Sequence, residues 1–342
     1  MNSASDLATP GVRLRRERRG HPLLLFVARR LVAAIATLVI VSILVFVGTE
    51  VLPGDAAGAV LGRSATPAQV EEMRELMGLD RPAPERYLSW LGGVVTGDLG
   101  NSAAGYAAGG VSPIWEEISG KIANSFALAG VTAALMIPLS LLLGILAAVR
   151  AGRALDHAIS VGSLAIISLP EFIIGSLLIL VFFSWLGLLP PVSLIAPDTN
   201  PLSQPDVLVL PVLTLLGASL AASIRMVRAG MLEALNAEYV AMARLNGFRE
   251  RMVVSRYALR NALAPSVQVL AQNIQYLVGG IVVTEYLFNY PGLGKELVDA
   301  VAIRDVREVQ SVALLIAAFY IGLNIAADLL VVLLVPKLRT QR

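Results

Sequence analysis

Six stretches of this chain are too long and too apolar to be folded into water. A helix crosses ~30 Å of hydrocarbon with about 20 mostly apolar residues, and it satisfies its own backbone polar groups there. Residues 31–49, 122–149, 207–224 and 262–284 carry no charge at all. Residues 158–189 contain one acid, Glu171, and residues 309–335 contain one, Asp328. Only 15% of the 342 residues are charged, against ~25% in soluble domains. A cytosolic enzyme is excluded, and the expectation is an all-α membrane protein with six transmembrane helices. The run at 158–189 is expected as one long helix bent near Pro170, because proline lacks the N–H that the helical ladder needs.

The placement of Lys and Arg orients those spans. With the N-terminus inside, the cytoplasmic segments hold 19 of the 27 basic residues and the external ones hold 8. Both termini are therefore expected in the cytoplasm. Residues 1–25 form a basic tail and 26–49 the first span. Residues 50–121 form an external region, and 122–335 a five-helix core, with helices at about 122–149, 158–189, 207–226, 262–284 and 309–335. A cytoplasmic loop spans 227–261, and 336–342 is the C-terminus. The first span is read as an uncleaved anchor, since its apolar run exceeds a typical h-region and Thr49-Glu50-Val51-Leu52-Pro53 offers no small-x-small cleavage site.

The external region carries 10 acids against 5 bases. Thr66-Pro67-Ala68-Gln69 has the cap and first-turn proline of a helix start, so residues 68–77 should be helical and stop at Gly78. Tyr87 and Trp90 suit a membrane interface. Glycines from 92 to 110 suggest that the rest is loop, and residues 190–205, with five prolines, should be irregular.

The loop after the fourth span is the most informative. Residues 237–245 read as a short helix ended by Asn246-Gly247, and residues 249–258 as a second helix. A helix–Gly–helix elbow can present one face to a partner groove. It can equally lie as an amphipathic loop among lipid headgroups.

Polar groups inside the membrane are costly, about 2.5–3.5 kcal/mol for a charge at its centre, so they face a bundle interior or water. Glu171 is either a gate at the Pro170 break or a carboxylate held by a neighbouring helix. Asn324 and Asp328, four residues apart, should hold helices together. Gln268, Gln272 and Gln275, with Asn273 adjacent, form an amide stripe on the fifth span. That stripe either bonds between helices or faces a solute.

Catalytic chemistry is missing. Without cysteine, and with only His21 and His157, the chain offers no thiol nucleophile and no Cys-ligated zinc. Gly294-Lys295 comes nearest to a phosphate-binding loop, but Asn289 and Glu296 occupy two of its required positions. Asp156-His157 sits in a short turn beside Arg150 and Arg153 and reads as structural. No cofactor is expected, and a net charge of +2 is too small to point to nucleic acid. Energy must come from separate subunits or from an ion gradient.

A set of motifs runs in order along most of the chain. Leu52-Pro53-Gly54-Asp55, Gly78-Leu79-Asp80, Gly97-Asp98-Leu99-Gly100-Asn101-Ser102, Asn124-Ser125 and Ser168-Leu169-Pro170-Glu171 come first. YVAMARLNG with ALRNALAP follows, then Glu285-Tyr286-Leu287-Phe288, Pro291-Gly292-Leu293-Gly294 and Arg304-Asp305. The set resembles the transmembrane subunits of binding-protein-dependent ABC importers, and most of all the first permease of the dipeptide/oligopeptide/nickel group. Ala243, Gly247 and Leu259 match that superfamily's general cytoplasmic signature.

The resemblance implies a type I ABC importer transmembrane fold. It implies a coupling helix at about 236–247, with Glu238, Tyr239, Ala241, Ala243, Arg244 and Gly247 meeting an ATPase subunit. Gln268, Gln272, Asn273, Gln275 and Glu171 would line the translocation pathway, and Pro291, Gly292 and Gly294 would face a solute-binding protein. The implied partners are a second permease, two ATP-binding subunits, an extracytoplasmic solute-binding protein and the lipid bilayer. The implied solutes are peptides, nickel complexes, glutathione or haem, and the implied location is a bacterial inner membrane. The alternative from another class is a stand-alone ion-coupled transporter or channel.

Overall fold

The computed structural model describes residues 22–51, 55–62, 65–196 and 199–334. Most of the basic tail and all of residues 336–342 lie outside the described residues. So do the side chains of Gln268 and Gln275. Apart from one isolated bridge between Asn101 and Pro113, every regular element among the described residues is helical.

Among the described residues, four single helices are long and apolar enough to cross a bilayer: α1 (Pro22–Val51), α6 (Ile114–Val149), α9 (Pro205–Leu235) and α14 (Val306–Leu334). The expected bent helix at 158–189 is instead two helices, α7 (Ala154–Ile167) and α8 (Glu171–Ile179), meeting at 103°. The reason is local. Pro170 takes an extended ψ of 145° at the cap of α8, which breaks the ladder outright where a kink would only bend it. A π-helical turn, Leu180–Trp185, extends α8. The expected fifth span lies within α12 (Leu259–Leu287), a helix of 29 residues.

Helix α9 is the hub. Over its most apolar window 61% is buried inside the chain, against 11% for α1 and for α14. Its Leu208, Val212, Leu215 and Leu216 pack with Leu128 and Met136 of α6 and with Leu277 and Ile281 of α12. Gly144 of α6 lets the two backbones approach, since a Cβ there would sit 2.7 Å from Val227. Thr214, Ser219 and Ser223 turn their hydroxyls back onto the carbonyls four residues earlier, which keeps these buried groups satisfied in a close-packed interface. Helices α1 and α14 pair along the rim. Arg30 bonds Asp328 at 2.7 Å, and Gln310 donates to Thr49 at 2.8 Å, so Asp328 does hold two helices together.

The segment between α1 and α6 is more helical than its glycines suggest. Helices α2 (Ala56–Leu61), α3 (Pro67–Met77), α4 (Ala83–Thr96) and α5 (Ala103–Ala107) precede α6. Helix α3 starts on a Thr66–Gln69 capping box and ends at Gly78 in the left-handed region. Gly92 and Gly93 lie inside α4, where the missing side chain at Gly93 leaves room for the Asp98 carbonyl. Trp90 is buried inside the chain. It is 4% exposed, stacked with Phe46 of α1 and tilted against Tyr87. Burying that indole welds α4 to the top of α1, and Tyr87 bonds Ser42 at 2.9 Å beside it.

Candidate functional site

The elbow after the fourth span is built from the end of α9 and the elements that follow it. Helix α10 (Glu238–Leu245) starts at Ala237 and ends at Asn246-Gly247, with Gly247 at φ 76°. Only glycine adopts that conformation without strain. The chain resumes in α11 (Glu250–Met252) and a π-helical turn, Val253–Ala258, that runs straight into α12. Elbow and membrane helices therefore share one backbone.

The two faces of α10 differ sharply. Val240 and Ala243 are buried against Met231 and Ala234 of α9 and against Val253, Ala258 and Ala262. On the other side Tyr239, Met242, Leu245 and Phe248 are exposed, Leu245 at 81%. Glu238, Ala241 and Gly247 are exposed with them. Ala243, expected to permit approach of a partner, points inward instead: its small side chain lets α10 sit close on α9. Arg244 crosses the turn to hold Glu250 through two hydrogen bonds of 2.8 and 3.2 Å. The Arg244 guanidinium pulls the Glu250 carboxyl below its usual range, and the same pair raises Arg244. This pair closes the elbow around Gly247.

A second fastening sits one helix away. Asp156, 3% exposed, accepts from Arg228 Nε at 2.6 Å and Nη2 at 2.8 Å. Its carboxylate also accepts from the Gly152 N–H and from Ser160. Asp156 is thus a pin between α7 and α9, in keeping with the structural role expected of the Asp156-His157 turn.

The membrane polar groups fall into separate places. Glu171, first residue of α8, accepts from Thr284 of α12 at 3.0 Å. Gly280, one turn earlier, is bare beneath it, since a Cβ there would lie 2.5 Å from Oε2. Asn273 donates to Ser223 of α9 at 2.7 Å. Gln272, by contrast, is exposed and lines a cavity of about 590 Å³ with Arg30, Tyr320, Asn324 and Asp328.

The loop between α12 and α13 (Leu293–Ile303) is organised by a carboxylate that sequence reading did not single out. Glu285 is wholly buried. It accepts from Ser125 at 2.5 Å, from the Gly294 N–H at 2.6 Å and from the Lys295 N–H at 3.2 Å. Asn124 donates to the Pro291 carbonyl, and Tyr290 donates back to the Asn124 carbonyl. Gly292 and Gly294 are buried beneath this carboxylate, while Pro291 is half-buried and Asn289 exposed. A Cβ at Gly292 would overlap the Glu285 oxygens. Both Asn124-Ser125 and Glu285 stood in the ordered motifs, but no linear spacing joins residues 160 apart.

Another junction lies nearby. Glu117, Glu296 and Glu308 bring carboxylate oxygens within 4.8 Å of one another, and the Lys121 ammonium pairs with Glu296. The arrangement across all these places suits helix fastening and partner docking, not bond-making.

Comparison with known proteins agrees. A family model described as binding-protein-dependent transport system inner membrane component matches residues 140–340. The model for the N-terminal part of the same membrane components matches residues 23–127. The glutathione transport system permease protein GsiC of Pectobacterium atrosepticum is 35% identical over 311 residues, covering 91% of this chain and 97% of that protein. Its Escherichia coli counterpart is 34% identical over 314 residues, covering 92% and 98%. A protein of Sinorhizobium fredii named "Probable peptide ABC transporter permease protein" is 32% identical over 314 residues, covering 92% and 99%.

Proposed function

The chain belongs to the binding-protein-dependent transport system inner membrane component family, as a permease subunit of an ABC importer, and on that premise we propose how it works and what it carries. It is a multi-pass membrane protein and not an enzyme; ATP hydrolysis belongs to separate subunits of the transporter. Its proposed solutes are peptides or related small molecules such as glutathione, after the names of its relatives. The proposed assembly adds a second permease, two ATP-binding subunits and an extracytoplasmic solute-binding protein, in a bacterial inner membrane. We read six spans, with α7 and α8 forming one and α12 another, and both termini in the cytoplasm.

The observation that carries the coupling role is the two-faced α10. Tyr239, Met242 and Leu245 offer an apolar face of the kind that fills a partner groove, with Glu238, Ala241 and Arg244 around it. Its inner face is packed on the hub helix. A push on α10 therefore moves α9 and α12 together. Arg228 carries the same displacement to α7 through Asp156, and Glu171 ties α8 to α12.

In this reading Glu171 and Asn273 hold the pathway's walls, and Gln272, with Gln268 and Gln275, offers amides to a peptide backbone. Pro291, Gly292 and Gly294 would shape the loop that meets the solute-binding protein, the glycines from beneath and Pro291 at the surface.

Co-purification tests the reading. The full chain is expected to bring down two ATP-binding subunits and a second permease, and Leu245→Asp is expected to release the ATP-binding subunits while keeping the second permease. Uptake that survives ATP depletion and collapses with a proton uncoupler would instead favour a stand-alone carrier.

A further inference from the structure

Helices α6, α13 and α14 pack through Ile118, Leu293 and Val312 as one apolar cluster, and the same three helices also meet through carboxyl groups. Glu117 of α6, Glu296 of α13 and Glu308 of α14 bring oxygens within 4.8 Å of one another. All three lie outside the runs at 122–149 and 309–335 that are expected to span the membrane. Donors are shared unequally among them. Glu117 accepts from the Ser112 hydroxyl, and Glu296 pairs with the Lys121 ammonium. Glu308 is 3% exposed, and among the described residues the side chain that hydrogen-bonds its carboxyl group is Glu296, itself an acid. Ionised carboxylates only accept, so a hydrogen bond between two of them requires one proton.

The other charged groups on these helices are placed elsewhere. On α6, Glu116 is exposed. On α13, Lys295 pairs with Asp299, and Arg304 stands at the far end of the helix. On α14, the Arg307 guanidinium lies over Gly100, where a Cβ would sit 2.9 Å from Nη1. Asp305 adds a fourth acid, already accepting from Ser102 and from the Ala104 N–H. An ionised Glu308 would thus face Glu296, Glu117 and Asp305 with no cation of its own. Burial and like charge both favour the neutral carboxyl, as in carboxyl pairs that hold one proton between them.

We propose that Glu308 carries a proton at neutral pH and donates it in a hydrogen bond to Glu296, so that one exchangeable proton fastens α14 to α13. Its withdrawal would leave like charges facing each other across the joint and loosen α13 from α6 and α14. The joint therefore senses acidity. That the acidity sensed is that of the outer compartment rests on the topology proposed above; the proton itself does not.

Infrared spectroscopy of the purified full-length chain in maltoside micelles tests it, through the C=O band of protonated carboxyl groups. At neutral pH the wild-type band is expected to exceed that of Glu308→Gln by one carboxyl group. Glu296→Gln should lose the same intensity, because its amide would donate to an ionised Glu308, and it keeps a readout should Glu308→Gln fail to fold. Glu116→Gln, on the exposed side of α6, should leave the band intact. Thermal unfolding supplies a second readout. A proton bound more tightly in the folded chain makes stability fall as the pH rises. The wild-type chain should therefore lose several degrees relative to either joint variant between neutral and alkaline pH. A band unchanged by both variants, or a difference in unfolding temperature that stays constant with pH, would overturn the proposal. A band that appears in the wild-type chain only after calcium is chelated would overturn the shared proton and leave a cation site.

Discussion

Replacing Arg228 by methionine would leave the Asp156 carboxylate charged, 3% exposed and without its two strongest donors. Removing one partner of a buried ion pair costs about 3–5 kcal/mol, most of it the penalty of the stranded charge. Two donors survive, the Gly152 N–H and the Ser160 hydroxyl, so the lower end, about 3 kcal/mol, is expected. Replacing Asp156 by asparagine instead strands Arg228, whose side chain is 30% exposed and partly solvated. That change should cost less, about 1–2 kcal/mol, after allowance for solvent screening. The double variant should cost less than the sum of the two, by about 2 kcal/mol. Equilibrium unfolding of the four chains in mixed detergent micelles measures all three quantities. A coupling below about 0.5 kcal/mol, or a reversed order of the single variants, would refute the account of this pair as a buried pin.

Two further outcomes follow from other fastenings. The Arg244–Glu250 pair lowers the Glu250 pKa in the folded elbow, so its contribution is full above the ordinary carboxyl value of 4.5 and is lost as the pH falls below it. Proteolysis at the Gly247 turn should therefore accelerate in acid, and in Glu250→Gln that acid step should vanish. Gly292→Ala, which forces a methyl group into the Glu285 carboxylate, should lower the yield of folded chain in detergent extracts severalfold, while an alanine at the open Gly279 should not.

Much of the architecture was legible in the sequence because apolar length and the capping of short helices are local properties. Thr66, Gln69 and Gly78 frame α3 as their types predict, and Asn246-Gly247 stops α10 where it should. The 103° break was only half legible. Pro170 announces an interruption, but its angle depends on where α8 packs, and that is set by Thr284 and Gly280 of α12, more than a hundred residues away. The helix through Gly92 and Gly93 was missed for a similar reason. Glycine weakens a helix by about 1 kcal/mol per residue against alanine, and the buried Trp90 side chain outweighs that. Among the site residues, the position of Gly247 followed from local chemistry. The inward turn of Ala243 did not, because a small residue suits either face. Several of the ordered motifs, Asn124-Ser125, Glu171 and Glu285 among them, are places where polar groups meet across the fold. Asp305 is one, accepting from Ser102 and from the Ala104 N–H.

Helix α9 runs unbroken for 31 residues from the rim to the elbow, and this makes residue count an angular quantity. Each residue added to an α-helix rotates everything beyond it by ~100° and advances it by ~1.5 Å. One residue inserted between Arg228 and Met231 would keep the upper core in place yet swing Met231, Ala234 and α10 together away from Ala148 of α6. The docking face would then point a quarter-turn away from any partner below. Ahead of the helix, where residues 190–205 were expected to be irregular, the chain forms only a short 3₁₀ turn, Pro201–Ser203, and a residue inserted before that turn would not rotate α9. The polypeptide should thus tolerate length variation above the hub and almost none at its lower end, so that α9 acts as the shaft that keeps the two ends of the machine in phase.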